Sequence, residues 1–235
     1  MNLLRQYVRN QLLAERRGKN AAPPKRDLTG KDYSGKIRKK AQSLKKSGLG
    51  VKIVTFKGSN KFDVAYVDAK TGIDYDFTTM GYDLDYGSIA DIMPTSGKDG
   101  PCGGEAYKIG YSEAPSGWGP LLYDVALEYI ESIGGSGLIS DRRSVSDKAV
   151  PVWDIYYEAR PDIISRQLND EKGQPNPKKK KLKCNQKTSR SDAQRRPEIR
   201  TWMDSPLSKI YNTGPGHFNA FEYLKKQGLI FYDVE

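Results

Sequence analysis

The sequence predicts an α/β protein of the α+β kind, with a mixed, mostly antiparallel sheet flanked by helices and a basic N-terminal arm. Three observations carry that expectation. Short runs rich in β-branched and aromatic residues alternate with segments whose apolar residues recur at helical spacing. Of 235 residues 37% are hydrophobic and 10% aromatic, enough for a core, while 29% charged residues, 23 Gly, 13 Pro and a mean hydropathy of −0.72 imply solvated extensions around it. Charge is also segregated: residues 1–61 carry 17 Lys/Arg against 3 Asp/Glu, residues 62–171 carry 8 against 20, and residues 172–235 carry 14 against 6. An acidic centre between basic flanks suits polyanion-binding arms. It equally suits arms that fold back on the centre or grip acidic neighbouring subunits.

The same bulk properties exclude several classes. No apolar run approaches the ~20 residues that span a bilayer, and the N-terminus lacks the apolar stretch and cleavage site of a signal peptide. A cytoplasmic setting with no membrane partner is therefore expected. Cys102 and Cys184 lie far apart, with neither a Cys-x-x-Cys spacing nor a histidine cluster, which predicts reduced thiols and no metal site. Four regions follow: an amphipathic N-terminal helix with its linker (1–30), a core (31–168), a basic insertion (169–214), and a C-terminal helix and strand that complete the core (215–235).

Residues 2–17 read as a short helix with Leu4, Tyr7, Val8 and Leu12 on one face, ended by Gly18 and the Pro23-Pro24 pair. A helix this short does not leave an apolar stripe in water, so the stripe predicts docking on its own core or on another chain. Residues 31–46 form a basic helix with Ile37, Ala41 and Leu44 at helical spacing. Three strands are expected next, at 51–56, 62–67 and 73–77, the last two joined as a hairpin through 68–72. Asp74, Asp76, Asp83 and Asp85 alternate with apolar residues in the manner of a half-exposed strand and lack the spacing of a calcium loop. Residues 93–104, rich in Gly and Pro, read as a loop.

Residues 105–112 read as a strand that runs into Ala114-Pro115-Ser116-Gly117-Trp118-Gly119-Pro120, after which Leu122, Val125, Ala126, Tyr129 and Ile133 mark a helix ended by Gly134-Gly135. Strand, glycine turn and helix form a phosphate-binding arrangement in principle: glycines let backbone amides approach an anion, and the helix N-terminus carries partial positive charge. Residues 137–140 then read as a short buried strand, and Ser146 can cap a helix carrying Ala149, Val152, Trp153 and Tyr156.

That order resembles the GNAT (Gcn5-related N-acetyltransferase) family. Its pyrophosphate loop, Gln/Arg-x-x-Gly-x-Gly/Ala, would fall on Ala114, Gly117 and Gly119, and its later Asn-x-x-Ala-x-x-x-Tyr on Ser146, Ala149 and Trp153. The resemblance covers about a quarter of the chain and implies that Gly117, Trp118, Gly119 and Ser146 border a coenzyme A site, with acetyl-CoA as cofactor. The wording Gly117-Trp118-Gly119-Pro120-Leu121-Leu122-Tyr123 and the opening Leu4-Arg5-Gln6-Tyr7-Val8-Arg9 further resemble proteins of tailed bacteriophages. In the family a tyrosine returns a proton to the departing thiolate. Trp153 stands at that position here, and an indole N–H does not deliver a proton at neutral pH. Tyr156 and Tyr157, one turn on, are the replacement candidates, and Glu113, like Glu105, is a candidate base for an incoming amine. Arg142 and Arg143 are the cations nearest the loop in sequence.

Residues 169–200 lack periodicity and hold clustered cations. Lys178, Lys179, Lys180, Lys181, Arg195 and Arg196 are candidate contacts to nucleic acid or a protein partner. Residues 216–226 suggest a helix and 229–234 a final strand, with His217, the single histidine, at the helix start as a capping or packing residue. Two functions remain expected: a virion-associated or assembly protein on a catalytically degenerate GNAT-like scaffold, which needs no cofactor and contacts other virion proteins and DNA in the virion or host cytoplasm; or an acetyl-CoA-dependent N-acetyltransferase.

Overall fold

The computed structural model describes residues 28, 31–82, 86–95, 106–140, 145–146, 149–167 and 205–235. The expected docking face (Leu4, Tyr7, Val8, Leu12), the basic positions Lys178, Lys179, Lys180, Lys181, Arg195 and Arg196, and both cysteines lie outside these residues.

Four helices and one mixed sheet make up the described part. Helix α1 (Tyr33–Ser43) starts where the Asp32 carboxylate accepts the Gly35 amide at 2.7 Å, and it buries Ile37 and Ala41. Strands β1 (Leu49–Thr55) and β2 (Phe62–Asp68) pair antiparallel from Leu49↔Asp68 to Thr55↔Phe62. Strand β3 (Ser88–Pro94) follows, pairing antiparallel with β2, with β4 (Tyr107–Lys108) and with β5 (Tyr111–Glu113). Helix α2 (Gly119–Ser132) leads to β6 (Leu138–Ile139), which lies parallel to β4. Helix α3 (Val150–Glu158), β7 (Ile163–Gln167), β8 (Lys209–Thr213), α4 (Ala220–Lys226) and β9 (Ile230–Val234) complete the order. The sheet runs β7-β8-β6-β4-β3-β2-β1-β9, with β5 also on β3; only β4·β6 and β1·β9 are parallel. It is therefore mostly antiparallel, as the alternating patterns implied.

Helix α2 is central, touching α1, α4, β2, β3, β6 and β8, and nine of its side chains are buried. Gly137, between α2 and β6, has φ +131°, and a Cβ there would lie 2.6 Å from the Tyr211 carbonyl oxygen, so glycine lets β6 approach β8. Among the described residues no helix is long and apolar enough to cross a membrane.

Four expectations are corrected by the geometry. Residues 73–77 are not a strand. Asp74 makes one isolated bridge with Val67, and the Asp76 carboxylate accepts both the amide and the hydroxyl of Thr78, opening a 3₁₀ turn (Phe77–Met80) in place of a ladder. The strand that pairs with β2 is β3 instead, and it takes in Met93 and Pro94 from the expected loop. The strand expected at 105–112 breaks at Gly110, whose amide bonds the Asp91 carbonyl at 3.2 Å where Asp91 has φ +55°; a Cβ at Gly110 would lie 2.5 Å from that of Asp91. The C-terminal helix starts at Ala220, capped by Asn219, so His217 belongs to the turn before it.

Candidate functional site

The glycine turn is held by Trp118. Its amide bonds the Pro115 carbonyl at 3.0 Å, its indole N–H donates to the Tyr82 hydroxyl at 3.0 Å, and its carbonyl accepts from the Tyr66 hydroxyl at 2.8 Å. The ring packs edge-on against Tyr66 and Phe77, and the residue is 3% exposed. Gly117 sits at φ +82° with open space beside it, while Gly119 starts α2 with no side chain capping the helix. The first-turn amides of α2 thus lack an internal cap, and Pro120 removes one of them.

Beside this turn lies a groove of about 610 Å³ between α1, the start of α2, and α3. Its walls are Ile37, Leu121, Val152 and Ile155 together with Tyr33 and Tyr156, and Lys36, Lys39 and Lys40 of α1 face it together with Gly117 and Pro120. Lys40 places its ammonium 3.7 Å from the centre of the Trp118 ring, and burial lowers its pKa. Distant in sequence, these lysines supply cations next to a helix N-terminus, which is the electrostatic setting an anionic ligand requires.

Of the residues singled out from sequence, Gly117 and Tyr156 line the groove. Trp118 and Gly119 form the turn behind it. Ser146 accepts the Ala149 amide at 3.3 Å and caps the turn that enters α3; it is not among the groove residues. Glu113 accepts from the Tyr111 hydroxyl and, at 3.1 Å, from that of Tyr86, away from the groove lining. Tyr156 is 2% exposed and donates to Asp124 at 2.5 Å. Tyr157 is 40% exposed, with Lys209 over its ring, and borders a separate open cavity next to Leu28 and Asp32. Trp153 is 1% exposed, stacked on Tyr211 at 5.5 Å between ring centres.

A buried ionic cluster lies behind Tyr156. Arg160 reaches Asp124 at 3.2 and 2.9 Å and Asp162 at 2.8 and 2.9 Å, so its guanidinium joins α2 to the start of β7. Ser34 of α1 donates to Asp162 at 2.5 Å. His217 sits between Glu128, 2.6 Å from Nε2, and Asp162, 3.0 Å from Nδ1, while the Glu128 carboxylate accepts the Ala220 and Phe221 amides at 3.0 and 2.5 Å. His217, expected as a capping or packing residue, thus sits between two carboxylates. Burial pushes the Glu128 carboxyl up to about 7 against the lowering pull of the His217 hydrogen bond. Burial would lower the His217 pKa, but its bond to Glu128 and the charge of Asp124 and Glu128 outweigh that and raise it. Burial likewise opposes ionisation of Asp162, yet hydrogen bonds from Arg160 and Ser34 hold it well below the usual carboxylate range.

Ligand-type atoms of Asp124, Glu128 and His217 lie within 4.8 Å of one another. The Asp124 oxygens already accept from the Arg160 guanidinium and the Tyr156 hydroxyl. Comparison with protein-family models, with curated proteins and with solved structures found no match.

Sequence reasoning missed the groove lysines and the cluster. Tyr33, Lys36, Ile37 and Lys40 share one helix face at i, i+3, i+4, i+7, a signal present in the chain, but nothing local says that this face meets Gly117.

Proposed function

We propose that the chain is a GNAT-like scaffold serving binding and assembly in a tailed-phage setting, with acyl transfer lost. The observation that carries the loss is the commitment of the aromatic residues at the expected acid position: Trp153 is enclosed in the core, and the Tyr156 hydroxyl is spent on Asp124. A phenol that donates to a buried carboxylate, with its pKa driven well above the usual value by burial, is not poised to protonate a thiolate. The GNAT-like part of the reading is supported by the parallel pair β4·β6 bracketing α2, with the Gly117 turn at the helix start. Other virion proteins and packaged DNA are the partners this reading assigns to the basic flanks.

A second reading, an acetyl-CoA-dependent N-acetyltransferase, is favoured by one observation: Lys36, Lys39 and Lys40 stand beside Gly117 and Pro120, where a pyrophosphate would need cations. Calorimetry with coenzyme A, coupled to a thiol-release assay with acetyl-CoA and a panel of amines, separates the two. The scaffold reading expects no thiol release above the protein-free rate, whether or not coenzyme A binds. If it binds, Gly119→Glu and the triple Lys36→Gln, Lys39→Gln, Lys40→Gln variant lose the heat. Amine-dependent thiol release by the wild type would overturn the scaffold reading.

A further inference from the structure

We propose that Glu128 and His217 hold one shared proton inside the buried cluster, and that this proton fastens the turn before α4 to α2, so that its loss as the pH rises releases α4. The argument is a valence count. A neutral imidazole has one N–H and one lone pair. Here Nε2 lies 2.6 Å from Glu128 Oε1 and Nδ1 lies 3.0 Å from Asp162 Oδ2. With both carboxylates ionised and the ring neutral, one lone pair would face an anionic oxygen at hydrogen-bonding distance, in a site where the His217 side chain is 4% exposed and that of Glu128 0%. One additional proton removes the conflict, on the ring or on Glu128, and the pair titrates as a unit.

The surrounding groups place that proton. Asp162 already accepts two bonds from Arg160 and one from Ser34, which hold it ionised, and Asp124 accepts from Arg160 and Tyr156. The groups facing the histidine are Glu128 and Asp124 from α2, Arg160 just after α3 and Asp162 ahead of β7, while Tyr156 bonds Asp124 and the Ala220 and Phe221 amides of α4 bond Glu128. Three carboxylates against one guanidinium leave an excess of negative charge that a proton reduces.

Both pair members have raised folded pKa values, so the folded state binds more protons than the unfolded chain, and stability falls as pH rises through the folded values. Because the pair shares one proton, that loss begins above 6.5, where the unfolded histidine gives up its proton, and not at the 4.5 of a free glutamate. Asp162 acts oppositely, and its contribution disappears as pH falls below the ordinary carboxylate range. The fold is expected to be most stable in mildly acidic solution.

His217 is the single histidine, so its ring signals in a nuclear magnetic resonance titration of the full chain are unambiguous. The expected midpoint lies above the 6.5 of a free histidine, with amide-exchange protection of Ala220 and Phe221 lost over the same pH range while near-ultraviolet dichroism from the Trp153–Tyr211 core persists. Glu128→Gln should bring the midpoint down, because the carboxylate partner is gone. If that variant fails to fold, the wild-type midpoint and amide protection still decide. A midpoint at or below 6.5 would overturn the proposal. So would amides that stay protected after the ring deprotonates, or a midpoint that moves when zinc is added to metal-free protein, which would assign the cluster to a cation.

Discussion

Arg160→Met is expected to lower stability by about 3–5 kcal/mol, because it leaves Asp124 and Asp162 buried without the guanidinium that pairs with both. For a chain of this size that is a fall in melting temperature of roughly 10 °C. Arg160→Lys should fall between wild type and Arg160→Met, since a single ammonium keeps the charge but not the fork that serves two carboxylates at once. Urea denaturation followed by tryptophan fluorescence measures both. Equal losses for Met and Lys would mean that fork geometry, not charge, dominates. No loss for either would contradict the reading that this cluster ties α2 to β7.

Trp118→Ala is expected to cost a similar ~3–5 kcal/mol, the usual range for emptying a buried aromatic site. The larger interest is local. Trp118 fixes the glycine turn through Tyr82 and Tyr66 and carries the Lys40 ammonium on its face. Truncation therefore removes the turn's anchor and the cation–π contact together, and any groove ligand should be lost with them. Trp118→Phe keeps the ring contacts with Tyr66 and Phe77 but gives up the hydrogen bond to Tyr82, a loss of about 0.5–1.5 kcal/mol. Thermal melts of the two variants, with calorimetry of the second, test whether turn and groove act as one unit.

The elements most legible in the sequence are those stabilised locally. Helix α1, with Ile37 and Ala41 inward and Asp32 as cap, and strands β1 and β2, with their β-branched runs, follow from periodicity and capping alone. Strand β3 did not. Met93 and Pro94 read as loop residues, and the strand exists because β2, β4 and β5 all pair with it across long sequence separations. Strands β7 and β8 depend on each other in the same way, through Ile163↔Thr213 to Gln167↔Lys209.

The candidate sites divide along the same line. The Gly117 turn was visible because glycine spacing is local. The cluster was not, because Asp124 and Glu128 look like the solvated face of a helix until Arg160 and His217 arrive from 36 and 89 residues away. The lysines of α1 carried their meaning only once that helix was placed against α2 and α3.

The central claim, a binding and assembly scaffold of a tailed-phage particle, is tested most directly by quantitative mass spectrometry of purified particles from the source of this chain. The account predicts peptides of this protein at a fixed, stoichiometric ratio to the other particle proteins, retained through density-gradient banding and a high-salt wash. Its absence from banded particles and from assembly intermediates, with all of it free in the lysate, would contradict the account.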